Sequence, residues 1–474
     1  MASEDAGKKE EETTVNILGT DYEALADGSY DALILGTGLK ECMIAGMLSV
    51  FEGKKVLQLD KNGYYGSETA SLNLSSLYQK FVDASAEDPP AEFFAKMGGQ
   101  NRDYNVDLIP KFIMADGQLV KTLISAGVAD YLDFKVVDGC FVYKKGKGVY
   151  KMPATATEAA TTSLMGFFQK RHFKSFLNWV FAYEQTKCGD FDATKKTMAQ
   201  LYSKFSLDKN TQDFVGHAMA LYTDDSYIDQ PAAATVERIK LYGYSMQRYG
   251  KSPFIYPVWG IGGMPEGFSR KCAINGGTFI LKQNIDEILF DNSGRAVGVR
   301  CGSKAAKAPV IIGEPSYFPK DKLVPTGKVA RSVCVLDHTV PGLGSDILSA
   351  QIIVPGAQVG RTNDMYVSVM SAAHKVVAKG HLLAIASTQV EGSSKSALAE
   401  LEPAIALLGG CKARFDSVVD TYVPKASGAD DGCYISESYD ATSHFESTMN
   451  DVANLYERIT GTPLAEAMAA DEKK

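Results

Sequence analysis

No apolar run in this chain reaches the roughly 18 residues that read as a membrane-spanning helix, and none of its first residues resembles a secretory leader: Met1 to Thr14 is polar and acidic. A CxxC pair is also missing. The eight cysteines are scattered, without companion histidines at metal-ligand spacing, so zinc and redox motifs are excluded and reduced, structural thiols are expected. Excess positive charge is lacking too: 49 Lys and Arg face 57 Asp and Glu, a formal net charge of −8. Such a balance argues against broad binding to nucleic acid or to anionic membranes, either of which repels an acidic protein unless a local basic patch intervenes. The six histidines form no compact Ser/His/Asp or Cys/His signature, which leaves no catalytic motif to nominate. A cytoplasmic protein is expected.

What is present is an ordinary globular composition, 45% hydrophobic and 22% charged over 474 residues. That length is enough for two domains with ample core. Residues 1–28 carry Lys and Glu runs without apolar periodicity and are predicted to be a flexible extension. Tyr30 to Leu35 then forms an apolar run ending in Gly36-Thr37-Gly38, a helical stretch follows, and Lys55 to Asp60 reads as a second strand. These make a βαβ unit. Leu119 to Ile124, Ala159 to Lys170 and Phe173 to Tyr183 have helical character, whereas after about residue 250 short β-rich runs dominate. These later runs (Thr278–Leu281, Val310–Ile312, Ser332–Val335, Gln351–Val354 and Met365–Val369) are expected to return to the first sheet. Ala465 to Lys474 is expected to be a frayed helix or tail.

The Gly36-Thr37-Gly38 turn carries the only cofactor-like pattern. In a working dinucleotide fingerprint the first glycine turns the chain, the second admits the pyrophosphate, and the third lets helix and strand pack. Gly36, Gly38 and a downstream acid, Asp60, fit that scheme, but Glu41 stands at the third position. Its carboxylate satisfies the helix's positive end, which would otherwise attract phosphate. The turn is therefore read as vestigial, with no cofactor expected.

The stretch Leu33 to Cys42, followed by Asp60-Lys61-Asn62-Gly63-Tyr64-Tyr65-Gly66, closely resembles the Rab GDP-dissociation inhibitor family, sister to the Rab escort proteins. Further strings extend the likeness from about Tyr30 to Thr460: Arg102 to Phe112, Tyr131 to Lys135, Arg248 to Pro253 and Ser438 to Thr442. The resemblance implies an α/β fold: a large multi-sheet domain of FAD-binding, flavoprotein monooxygenase-like ancestry without flavin, plus a smaller all-helical domain. Residues 29–115 and 229–460 would form the large, Rab-binding domain, residues 116–228 the helical one, and 461–474 a tail.

The resemblance also implies site residues. Tyr65, Glu266, Arg270 and Thr278 match the platform that meets the GTPase switch regions, with two departures, Gly263 and Glu266, where relatives usually have an acid and an amide. Arg248, Ser252 and Phe254 resemble the family's mobile loop, and a plain turn is the equally weighted alternative. Leu119, Val120, Leu123, Leu164, Phe167 and Phe168 lie where relatives hold the prenyl chain; for any one of them helix core is the simpler reading. The implied partners are prenylated, GDP-bound Rab GTPases, the geranylgeranyl lipid and, transiently, membranes, through a monomer forming one-to-one complexes. An escort protein and a flavin oxidoreductase remain the alternatives. Escort proteins carry long insertions that this chain lacks, and Glu41 opposes the flavin reading.

Overall fold

The computed structural model describes residues 14–154, 158, 162, 165–187, 189–392 and 396–471. At its centre lies a five-stranded parallel sheet ordered Thr278–Ile280, Val56–Leu59, Ala32–Leu35, Ile311–Gly313, Cys433–Ile435. Every residue of Ala32–Leu35 and Val56–Leu59 is buried, as a parallel sheet covered on both faces demands. The helix Leu39–Glu52 crosses between these two strands and is itself buried almost all round. It packs against the helix Gly263–Ile274 where Gly46 leaves room: a Cβ there would stand 3.0 Å from the Phe268 ring. The expected βαβ unit is thus the centre of the molecule.

Of the later β runs, Thr278–Ile280 and Ile311–Gly313 do return to this sheet. The others correct the expectation. They build a separate seven-stranded sheet ordered Gly148–Lys151, Gly139–Lys144, Ser349–Val354, Met365–Ser371, Leu382–Gln389, Leu323–Leu336, Ala413–Pro424. Five of its six neighbour pairs are antiparallel, and three of those join consecutive strands through short connections, which pair before a distant sheet can compete.

The N-terminal segment is a second correction. Thr14–Ile17 and Thr20–Ser29 are strands of a further five-stranded sheet, joined to Lys304–Lys307, Ala296–Cys301 and Glu287–Phe290. Val15 and Ile17 alternate inward against Ala305, and the two-residue turn Leu18-Gly19 takes positive φ at both positions (55° and 85°), which suits a tight hairpin. A period-two signal of only four residues is hidden by the charged run before it.

The stretch 116–228 is not all-helical either, because Phe134–Val136, Gly139–Lys144 and Gly148–Lys151 are strands. The helix Gln118–Ser125 precedes these strands, and a helical layer follows them, with Phe167–Ala182, Met198–Lys204, Lys209–Asp213, the π-helical turn Phe214–Met219, and Ala233–Tyr249. Phe173, Phe176 and Val180 form the inner face of Phe167–Ala182, and Phe176 meets the rings of Tyr202 and Phe205. The C-terminal stretch, expected as a frayed helix or tail, is the helix Leu464–Asp471, whose Leu464, Ala467 and Met468 are buried and which packs on Gln118–Ser125. Among the described residues no helix is long and apolar enough to cross a membrane.

Candidate functional site

The turn after Ala32–Leu35 is occupied by the protein's own side chains. Asp60, fully buried, accepts hydrogen bonds at Oδ2 from the Thr37 amide (2.8 Å) and Ser67 hydroxyl (2.9 Å), and at Oδ1 from the Asn62 amide (2.7 Å) and side chain (2.9 Å). No acceptor capacity is left for a ribose. Glu41 folds back over the turn: a Cβ on Gly38 would lie 2.5 Å from its Oε2, while Oε1 accepts from Ser436 at 2.7 Å. The Tyr317 ring covers Gly36, 3.1 Å from where its Cβ would be.

Beyond the turn lies a cleft of about 460 Å³ whose lining includes Glu41, Glu68, Glu314, Arg331 and Tyr439. Burial, reinforced by the charges of Glu41 and Glu68, pushes the Glu314 carboxyl up to about 8. Glu41 is likewise raised by burial. Arg331 turns its guanidinium to the carbonyls of Tyr439 and Asp440 (3.3 and 2.6 Å). A site that already stacks three carboxylates beside a filled turn does not fit a pyrophosphate.

Of the residues matched to a GTPase-binding platform, Tyr65, Glu266 and Arg270 lie near one another, and Thr278 begins the strand beside them. The helix Gly263–Ile274 presents Glu266 and Arg270, one turn apart and both exposed. Beside it Tyr65 is half-buried, its ring 6.0 Å from Phe279, the neighbour of Thr278 in the edge strand of the parallel sheet. Burial, with smaller contributions from Cys42 and Glu266, holds the Tyr65 phenol above its ordinary range. The Arg270 guanidinium lies over the Tyr131 ring at 4.5 Å. Neither Glu266 nor Arg270 is tied into an ion pair among the described residues. Their charged heads are therefore available while the stacked stem restrains the arginine.

Two supporting features went unnoticed in the sequence. Tyr131 sits in a string already quoted above, and only the tertiary fold brings it under Arg270. Asp107 is buried and accepts hydrogen bonds from the Ile261 amide (3.1 Å) and from the hydroxyls of Tyr256 and Ser71. It anchors the turn that starts the platform helix. That turn needs glycine: Gly260 has φ 89° and a Cβ there would meet Asp107 Oδ1 at 2.8 Å. Burial, only partly offset by these donors, pushes Asp107 up to about 6. At the departing position Gly263, an added Cβ would stand 3.2 Å from Leu132.

The other candidates are separated. Arg248 is exposed and reaches Asp116 (Nε to Oδ1, 2.9 Å), but Ser252 and Phe254 are fully buried. Ser252 Oγ caps the Phe254 amide at 3.1 Å and Phe254 begins the strand Phe254–Pro257, so of the three only Arg248 can meet a partner. The hydrophobic signal of Phe254 came from core packing, not from an exposed loop. Leu119 and Leu123 are core residues and Val120 packs against that core, where Gln118–Ser125 meets the C-terminal helices. Phe167 and Phe168 are instead 81% and 75% exposed, unlike the buried Leu119 and Leu123. Leu164 lies outside the described residues.

Asp213, His217 and Asp225 bring ligand atoms within 4.8 Å of one another. Lys209 Nζ already stands 3.0 Å from Asp213 and 2.9 Å from Asp225, so a side-chain cation occupies the centre of this group.

The family profile described as GDP dissociation inhibitor matches residues 26–470. The Rab GDP-dissociation inhibitor of Saccharomyces cerevisiae is 46% identical over 455 residues, which cover 94% of this chain and 98% of that protein. Rab GDP dissociation inhibitor beta of Rattus norvegicus is 46% identical, over 91% of this chain and 95% of its own. Among solved structures, a Rab GDI from Plasmodium falciparum superposes with a TM-score of 0.85 at 42% identity, covering 92% of this chain and 99% of that one. An oxidoreductase from Methanosarcina mazei reaches 0.54 at 15% identity over 90% of this chain and 99% of its own, a likeness of fold alone. The chain belongs to the GDP dissociation inhibitor family.

Proposed function

We propose that this protein binds GDP-loaded, prenylated Rab GTPases, slows their loss of GDP, and carries them between membranes through the cytosol. The observation that carries the reading is the convergence of Tyr65, Glu266 and Arg270 beside the edge strand that begins at Thr278, next to a former dinucleotide turn filled by Glu41 and Tyr317. A GTPase changes its switch regions with the bound nucleotide, so a rigid surface complementary to the GDP form selects that form and opposes the opening that releases GDP. Arg270 supplies a forked donor for carboxylates or carbonyls, and Glu266 a nearby acceptor. No chemistry on the nucleotide is involved.

The prenyl chain prefers a bilayer by roughly 0.8 kcal/mol per CH₂, so the carrier offers the isoprenoid an apolar shelter in the helical layer. Protein and lipid contacts then act as linked sites in a one-to-one complex. Incubating the protein with membranes bearing prenylated Rab tests the reading. Rab in the GDP form becomes soluble and Rab in the GTP form stays behind; equal release of both forms defeats it.

A further inference from the structure

The helix Phe167–Ala182 carries Lys170, Arg171 and Lys174 and not one carboxylate in its sixteen residues, although acids outnumber Lys and Arg by 57 to 49 in the chain. Its inner face is committed to the core through Phe173, Phe176 and Val180. Its outer face is a stripe. Positions 167, 171, 174, 178 and 181 recur at helical spacing, and all five residues are exposed. Phe167 and its neighbour Phe168 are, at 81% and 75%, the most exposed large apolar side chains among the described residues, their rings meeting edge-on at 5.7 Å. At the other end Phe181 packs its ring on Tyr244 of the helix Ala233–Tyr249 at 5.9 Å, both partly exposed. Between the aromatic ends stand Arg171 and Lys174, neither of them in an ion pair among the described residues. The stripe is about 21 Å long at the rise of an α-helix.

We propose that this stripe is a bilayer-contact surface, by which the protein lies against membranes rich in anionic lipid. Aromatic side chains with Lys or Arg between them, on a helix held in the surface plane, suit the boundary between headgroups and acyl chains. Charge decides the orientation: a protein with a net charge of −8 is repelled by an anionic surface unless it approaches with a face free of carboxylates. The outer stripe of Phe167–Ala182 comes closest to that condition: the helix contributes three cations and no carboxylate, the exposed acids Asp208, beside Gln169, and Glu184 lying at its margins. The inference rests on the proposed membrane-extraction role and adds to it the side of the molecule that meets the donor membrane. It also assigns Phe167 and Phe168 to the bilayer rather than to an enclosed isoprenoid pocket.

The test uses the full chain with vesicles that contain no Rab, either phosphatidylcholine alone or with about one-third phosphatidylserine. The wild-type protein co-sediments with the anionic vesicles, less as salt rises, and little with neutral ones. The double variant Phe167→Ser/Phe168→Ser lowers the partition coefficient at least about tenfold, and Arg171→Glu/Lys174→Glu removes the preference for anionic lipid. Both keep the wild-type circular dichroism, and Arg171→Glu/Lys174→Glu keeps the affinity for soluble GDP-loaded, prenylated Rab, a measurement that fails separately if the Rab reading is wrong. Unchanged sedimentation of either double variant overturns the proposal. So does a Phe167→Ser/Phe168→Ser protein that loses prenylated Rab but keeps its hold on vesicles, because those rings would then belong to the isoprenoid site.

Discussion

Replacing His217 with alanine loosens the helical layer from the seven-stranded sheet, and the loss depends on pH. The π-helical turn Phe214–Met219 places the ring so that Nδ1 meets Asp364 Oδ2 at 2.8 Å and Nε2 meets Asp225 Oδ1 at 3.2 Å. Asp364 is fully buried just before the strand Met365–Ser371, and its other oxygen accepts from the Gly356 amide at 2.9 Å. Burial disfavours the imidazolium, but the hydrogen bonds to Asp225 and Asp364 outweigh it and push the ring up to about 10 from an ordinary 6.5. Asp225 is correspondingly held below the carboxylate range by the ring, whereas burial raises Asp364. Because the folded-state value is raised, the contribution is full below about 6.5, shrinks as pH climbs from 7, and is gone above about 10. Three units at about 1.36 kcal/mol each set a ceiling near 4 kcal/mol at pH 7. Sharing among the three groups lowers that figure, and stranding a buried Asp364 raises the cost of deletion, so about 3 kcal/mol is expected. Urea unfolding of the wild type and His217→Ala between pH 7 and pH 10 measures it. The gap should be widest at pH 7 and narrow steadily; equal midpoints at pH 7, or a gap that ignores pH, would refute the reasoning.

Arg270→Ala leaves unfolding unchanged and weakens Rab extraction by about 1–2 kcal/mol, roughly five- to thirtyfold; unaltered extraction removes Arg270 from the binding face. Lys111, fully buried with Nζ on Asp440 (2.6 Å) and on the Thr442 carbonyl and hydroxyl (2.8 Å each), should cost about 3–5 kcal/mol of stability as Lys111→Met, because Asp440 is left unpaired. Calorimetry showing less than about 1 kcal/mol would contradict that pairing. Asp107→Ala frees the Ile261 amide and the Tyr256 hydroxyl and should destabilise the fold by about 2–3 kcal/mol. It should also reduce Rab binding more than an equally destabilising core variant does. Glu41→Gly should not confer flavin binding, since Asp60 and Tyr317 still fill the turn; flavin fluorescence quenched on titration with either protein would show the seat to be open.

The alternation of short apolar runs with Gly36-Thr37-Gly38 and the helix after it made the βαβ centre legible, because a buried parallel strand and a tight turn leave strong local signatures. Glu41 was legible as an obstacle for the same reason: its effect is exerted within one helical turn. The residues proposed for the platform were nominated from long strings shared with relatives, not from any period or spacing. For Ser252 and Phe254 the turn alternative describes what is seen, a buried turn between the helix Ala233–Tyr249 and the strand Phe254–Pro257; a sequence string does not say which of its residues face inward.

By itself, then, the sequence determined the local elements, the spoiled glycine turn and the family, each carried by residues near one another along the chain. Only the tertiary structure decided which sheet each later strand joins, that Asp107 holds the turn before the platform helix, and that Tyr131 supports Arg270 from more than a hundred positions away. The physical reason is common to all three. Strand partners, buried hydrogen bonds and ring contacts are settled by what the whole chain leaves adjacent in space once its core is packed.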